Sequence, residues 1–362
     1  VLSSVLKTQE IWNKLLATTV GASFIMSIYS ILQITGKIAI NQGGVRVDGT
    51  LGNAAYLGIY TVFHIFFASL LFFRSRYNWQ KILLSMSIIL NLIVLYYTAT
   101  RGAILGLMGG ALISFLFLVF KSEKGDRIRK VALFGVVSLF VFVGFFTVVK
   151  DTSFVRSSPV LSRFAELSPS EFQKQGRYYV WPMAIKGFIE RPIIGWGQEG
   201  FNFVFNKYYD PRMYNQEPWF DRAHNTFLDW LVAGGILGLA SYVLILFSIV
   251  VYVFKADDSF LKKEDKAVVL GLLSAYVFNN LFVFDQISSY ILFFTLLSYV
   301  HSHAPETQVG IWQKISDKTR NLFTKEQHKP IYESVVIILL LSAVDFVVFV
   351  PWRHNNNLLT VL

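Results

Sequence analysis

The chain has 362 residues, of which 54% are hydrophobic and 15% charged, with a mean hydropathy of +0.50; soluble domains hold about 45–50% apolar residues, so a soluble globular protein of this size is excluded. Cysteine is absent, which excludes disulfides, thiolate metal sites and a cysteine nucleophile. The formal charge is +10, but the basic residues fall mostly between hydrophobic blocks, so membrane topology accounts for them better than nucleic acid does.

Blocks of about twenty apolar residues suit the ~30 Å hydrocarbon core of a bilayer. They predict nine transmembrane helices, near 15–35, 54–73, 80–97, 102–120, 131–149, 234–254, 266–284, 287–301 and 332–351. The expected fold class is therefore all-α, a polytopic integral membrane protein. Its 34 phenylalanines suit helix surfaces that face lipid. The 74–81 loop holds Arg74, Arg76 and Lys81 with no acid. The 121–130 loop holds five basic residues against Glu123 and Asp126, and 302–331 holds five Lys/Arg. An excess of Lys and Arg marks cytoplasmic loops. By parity 36–53, 98–101, 150–233 and 285–286 lie outside, with the N-terminus inside and the C-terminus outside. The sequence opens on Val1, and a truncated N-terminus is expected.

Three regions follow: a bundle over 1–149, an extracytoplasmic loop over 150–233, and further transmembrane helices over 234–362. In the loop, Arg177, Trp181, Ile185 and Phe188 recur at helical spacing, and Pro182 starts or kinks that helix. Phe227, Leu228, Leu231 and Val232 run from Asn225, a suitable N-cap, towards the next span. Both segments predict short helices lying against the outer membrane face.

Three places could carry chemistry. Arg101 heads a span on the outer side, where Lys and Arg are not favoured; its plain alternative is an interfacial anchor. Arg177 opens the loop helix; its alternative is a solvated helix-end charge. His224 precedes an apolar helix, where a neutral imidazole can accept a proton near pH 7. Gly195-Trp196-Gly197-Gln198-Glu199-Gly200 fits G-x-G-x-x-G literally, but no buried strand precedes it and no dinucleotide site is expected. His301-x-His303 reads as solvated. Gly102-x3-Gly106-x3-Gly110 and Gly234-x3-Gly238 read as close helix packing. His64, Asn279, Asn280, Asp285 and Asp345 are polar groups in or beside spans, with no assigned role. The acids of 150–233 form no D-x-D pair.

Taken together, Gly49-Thr50-Leu51-Gly52-Asn53, Arg101-Gly102, Gly176-Arg177 with Trp181-Pro182, Pro192 to Gly197, His224-Asn225-Thr226 and Gly235 to Gly238 resemble the O-antigen ligase and polymerase superfamily. Those proteins are bacterial membrane glycosyltransferases of lipopolysaccharide and polysaccharide biosynthesis. The resemblance spans about residues 45–255. It implies a site on the periplasmic face of the inner membrane, using an undecaprenyl (polyprenyl) diphosphate-linked glycan donor and an acceptor hydroxyl on lipid A core, another glycan or a protein. It implies Arg101, Arg177 and His224 as catalytic residues, with Asn53, Arg222 and Asn225 beside the arginines in holding substrate. The implied reaction inverts the anomeric carbon and uses no metal or other cofactor. Membrane lipid is an expected partner and nucleic acid is not. The rival reading, a lipid-linked glycan transporter, calls for inverted repeats and broken mid-membrane helices, which the sequence does not display.

Overall fold

The structure is a computed structural model describing residues 2–303 apart from 7, 169–170, 172, 174 and 216–218. Every regular element among the described residues is helical. The helices are α1 (Leu2–Val5), α2 (Gln9–Ile34), α3 (Ala54–Arg74), α4 (Asn78–Thr98), α5 (Arg101–Lys121), α6 (Arg127–Val149), α7 (Ser153–Ser157), α8 (Ser162–Ala165), α9 (Gly176–Glu190), α10 (Phe201–Lys207), α11 (Thr226–Lys255), α12 (Lys263–Asn280) and α13 (Ile287–Ser302). Six of them, α2 to α6 and α11, are long and apolar enough to cross a membrane. Helices α12 and α13 coincide with the expected spans at 266–284 and 287–301. They are only 18 and 16 residues long, and α12 opens on four charged residues, Lys263 to Lys266. The span expected at 332–351, the basic loop at 302–331 beyond His303, and Asp345 lie outside the described residues.

Helix α3 is the axis of the bundle, with Leu57, Val62, Phe63, Phe67 and Leu70 all at or below 2% exposure. Helix α6 is its opposite. It buries only Ala132 and turns Phe134, Phe140, Phe142 and Phe145 outward, as a face that meets lipid must. The glycine row of α5 is a packing seam, as its spacing predicts. A methyl group on Gly106 would stand 2.7 Å from the Ala275 carbonyl oxygen, and one on Gly110 2.3 Å from that of Gly271. Ser114 donates to the Ala267 carbonyl oxygen at 2.8 Å along the same seam. Small residues thus bring α5 and α12 backbone to backbone, where dispersion and hydrogen bonds replace the hydrophobic effect.

Gly234-x3-Gly238 does something other than the expected helix packing. Nothing lies within 4 Å of a side chain built on Gly234. The residue that matters is Gly235, whose φ of +60° and ψ of −156° break α11 in a region open only to glycine. The break removes the helical bonds from Ile236 to Val232 and from Leu237 to Ala233. The loop segment 192–197 replaces them group for group. Ile236 and Leu237 donate to the carbonyls of Pro192 and Ile193, while Trp196 and Gly197 donate to those of Val232 and Ala233. Opened backbone near lipid must be satisfied within the protein. Gly195 fits because its φ is +67° and an added methyl would sit 2.3 Å from the Val232 oxygen. The segment 192–197, which overlaps the start of the G-x-G-x-x-G run, is therefore a docking strap that ties α9 and α10 to α11.

Candidate functional site

Four long helices begin around one cavity of about 320 Å³. Asn53 and Tyr56 line it at the start of α3, Arg101 at the first position of α5, Arg177 at the second position of α9, and His224 just ahead of α11. Helix N-termini carry partial positive charge and unmatched N–H groups, and so attract anions. Arginines in the first turn of α5 and α9 oppose those dipoles, by about 0.3–1 kcal/mol each at an exposed site. Their placement therefore serves something other than helix stability. Arg101 reaches this place because the α4–α5 connection is only two residues long. It turns on Ala99, left-handed at φ +49° and 1% exposed.

Two further arginines complete the lining, Arg46 and Arg163. Arg46 comes from the 36–53 connection, which is folded around buried Asp48. The Asp48 carboxylate accepts from the Gln33 side chain at 2.8 Å and from the Gln42 backbone at 2.7 Å. So held, Arg46 donates from Nε to the Thr98 carbonyl at 2.9 Å and from Nη2 to Thr100 Oγ1 at 3.1 Å. Arg101 donates to the Arg163 carbonyl at 3.3 Å. Arg163 Nε is buried with no hydrogen-bond partner among the described residues. Burial, then the charges of Arg163, Arg101 and Arg177, push the Arg46 guanidinium down to about 10. Arg163 is lowered by burial and by Arg101, with Glu166 opposing. Both remain cations at neutral pH. Among the described residues of the lining, four mutually repelling guanidiniums face one carboxylate, Glu166, so the cavity favours a ligand of more than one negative charge.

His224 sits at φ +54°, a region uncommon outside glycine but in which His is enriched several-fold. Its Nδ1 lies 3.2 Å from the Arg222 carbonyl oxygen. A carbonyl only accepts, so Nδ1 is the donor in this contact, and in the neutral tautomer that donates there Nε2 is the accepting nitrogen. Phe220 and Phe284 pack edge-on against the imidazole, with centroids at 5.2 and 5.1 Å. Phe284 belongs to the α12–α13 turn, which Asp285 anchors. The Asp285 carboxylate accepts from Tyr276 at 2.7 Å, Ser289 at 2.8 Å and Asn280 at 3.0 Å. Asp285 and Asn280, two of the polar residues left without a role by sequence, thus fix one wall of the cavity.

The remaining expected site residues divide. Asn53 lines the cavity but uses its side-chain oxygen to cap α3 at Ala55. Asn225 caps α11 at Phe227 and Leu228, at 3.0 and 3.1 Å, and does not line the cavity. Arg222 lies behind Phe284, 5.8 Å above its ring, and pairs with Glu199. Sequence reasoning missed Arg46 and Arg163. The signal that singled out Arg101, an arginine on the side where basic residues are not favoured, applies equally to Arg46.

Residues 86–243 match the family model described as O-Antigen ligase. Over this stretch the chain is similar to an O-antigen ligase domain. Arg101, Arg163, Arg177 and His224 lie within the domain; Arg46 and Asn53 precede it. A search of curated proteins finds no match. The matched stretch runs from within α4, through α5 and the segment that docks on α11, to just past the middle of α11. It therefore contains three of the four helix starts that surround the cavity.

Proposed function

We propose that the chain is a glycosyltransferase of O-antigen ligase type, moving a glycan from a polyprenyl-diphosphate carrier to an acceptor hydroxyl at the outer face of the bacterial inner membrane. The observation that carries this reading is one cavity that joins four arginines to a histidine of defined tautomer. As the glycosidic bond to the carrier breaks, negative charge grows on the departing diphosphate. Guanidiniums held in a poorly hydrated site stabilise that charge with paired hydrogen bonds. His224 Nε2 removes the acceptor proton as the hydroxyl attacks the anomeric carbon, and direct attack inverts its configuration. The Mechanism needs no divalent cation, because fixed cations already stand where the leaving group forms. The cavity lies at helix ends on one side of the bundle rather than at mid-helix, which favours chemistry on one face over transport.

The purified protein, stripped with EDTA, is expected to transfer glycan from a lipid-linked donor at the same rate with and without added magnesium or manganese. Loss on stripping, restored by either ion, would assign the leaving-group charge to a metal. Glycan analysis of a deletion strain separates the acceptors: uncapped lipid A core for a ligase, single repeat units for a polymerase, unmodified protein for an oligosaccharyltransferase.

The orientation, with nine spans and the 150–233 loop outside, is tested by thiol labelling, which is clean in a chain without cysteine. Ser157 and Lys124 are both exposed, whereas neighbouring Ser122 is buried and unsuitable. Ser157→Cys is expected to react with a membrane-impermeant reagent added outside, and Lys124→Cys only after permeabilisation. The reverse pattern would invert the topology.

A further inference from the structure

The imidazole of His224 is aimed by its backbone, and the residue before it is held at both ends. Ala223 is fully buried. Its N–H donates to Asp229 Oδ1 at 2.7 Å, and its carbonyl accepts from the Trp181 indole Nε1 at 3.1 Å. Asp229 lies in the first turn of α11 and Trp181 in the middle of α9. The two bonds thus lock the turn that delivers His224 against two different helices. Asn225 secures the other side of the histidine by capping α11. The peptide groups flanking His224 are therefore fixed while its φ stays at +54°, a backbone state that persists only where the surroundings over-determine it.

We infer that Asp229 is a positioning residue for transfer: with Trp181 it clamps Ala223 and so holds the His224 imidazole in the cavity. This rests on the reading of His224 as base. Asp229 itself is not among the residues lining the arginine cavity, so it acts through the turn and not on the diphosphate. What the clamp requires of residue 229 is a hydrogen-bond acceptor at the Oδ1 position, which asparagine also supplies, and not a charge.

The experiment compares Asp229→Asn, Asp229→Ala and Trp181→Phe in purified protein, with His224→Ala alongside, measuring kcat and the donor KM. A base displaced by about 1 Å can cost about 10²-fold in rate. Asp229→Ala is therefore expected to lower kcat by about 10–100-fold while donor KM moves less than about twofold, since the arginines are untouched. Asp229→Asn is expected to stay within about threefold of wild type, because the accepting oxygen is kept. Trp181→Phe removes the other half of the clamp and should lower kcat with the same unchanged donor KM. If Asp229→Ala proves unstable, the Asn and Phe variants carry the test. Three results would overturn the clamp: normal kcat in both Asp229→Ala and Trp181→Phe beside an inactive His224→Ala, an Asn variant as impaired as the Ala variant, or a rise in donor KM matching the fall in kcat. Full activity of His224→Ala would instead remove the base assignment itself.

Discussion

Replacing His224 with alanine is expected to reduce transfer by at least the ~10²–10⁴-fold that a positioned general base contributes, with donor binding retained. The acceptor is an unactivated hydroxyl, and an imidazole is the side-chain type whose ordinary proton affinity suits a general base at neutral pH. Its tautomer leaves Nε2 as the proton acceptor. Alanine tolerates the left-handed backbone at this position poorly, so loss of activity in that variant alone mixes chemistry with strain. His224→Asn resolves this. Asparagine accepts a positive φ and offers no basic nitrogen, so it is expected to insert and fold normally and to be as inactive as alanine. Near-wild-type transfer by the asparagine variant at normal expression would end the assignment. Donor affinity, measured separately, should stay within about twofold in both variants.

Arg101→Lys and Arg177→Lys are each expected to lower transfer severely despite keeping the charge, by about 10²-fold or more, the loss seen when one fixed donor to a developing anion is removed. A guanidinium presents a rigid fork of donors and an ammonium a single flexible point charge. Geometry sharpens the expectation. Both arginines stand in the first turn of their helices, where a lysine would swing away from the like-charged N-terminus towards water. Arg46 and Arg163 provide an internal comparison. Arg46 already spends part of its fork on the scaffold, on the Thr98 carbonyl and the Thr100 hydroxyl, whereas Arg163 lends its backbone carbonyl to Arg101. Lysine at Arg46 therefore loses scaffold as well as charge geometry. Retention of most activity by both Arg101→Lys and Arg177→Lys would return these residues to the role of interfacial anchors.

Much of the protein is legible from hydropathy and charge alone, and the reason is physical. A bilayer demands runs of about twenty apolar residues with every backbone bond closed within the helix, so α2 to α6 are visible one at a time, without knowledge of their neighbours. The same locality exposes the helix start at Asn225, whose side chain acts on the two or three residues after it. Arg101, Arg177 and His224 stand out because each is polar where an apolar segment begins, and because their order matches a known family.

What sequence does not determine is anything that depends on two segments meeting. The four helix starts are spread over more than 170 positions, from Ala54 to Thr226, and no local pattern says that they surround one cavity. Arg46 and Arg163 are ordinary loop arginines until the fold brings them beside Arg101. Gly195 and Gly197 look like part of a nucleotide motif, and Gly234 and Gly238 like a packing pair; the fold instead has Gly235 break the helix and the segment 192–197 repair it. Asp229 is in sequence only one of the scattered acids of 150–233, and only the fold shows it holding the turn before the histidine. Sequence thus determined where the membrane helices are and which polar residues stand at their ends, because those follow from solvent and local backbone chemistry. The tertiary structure decided which of those ends share a site, because hydrogen bonds between distant backbone segments, and not hydropathy, set that arrangement.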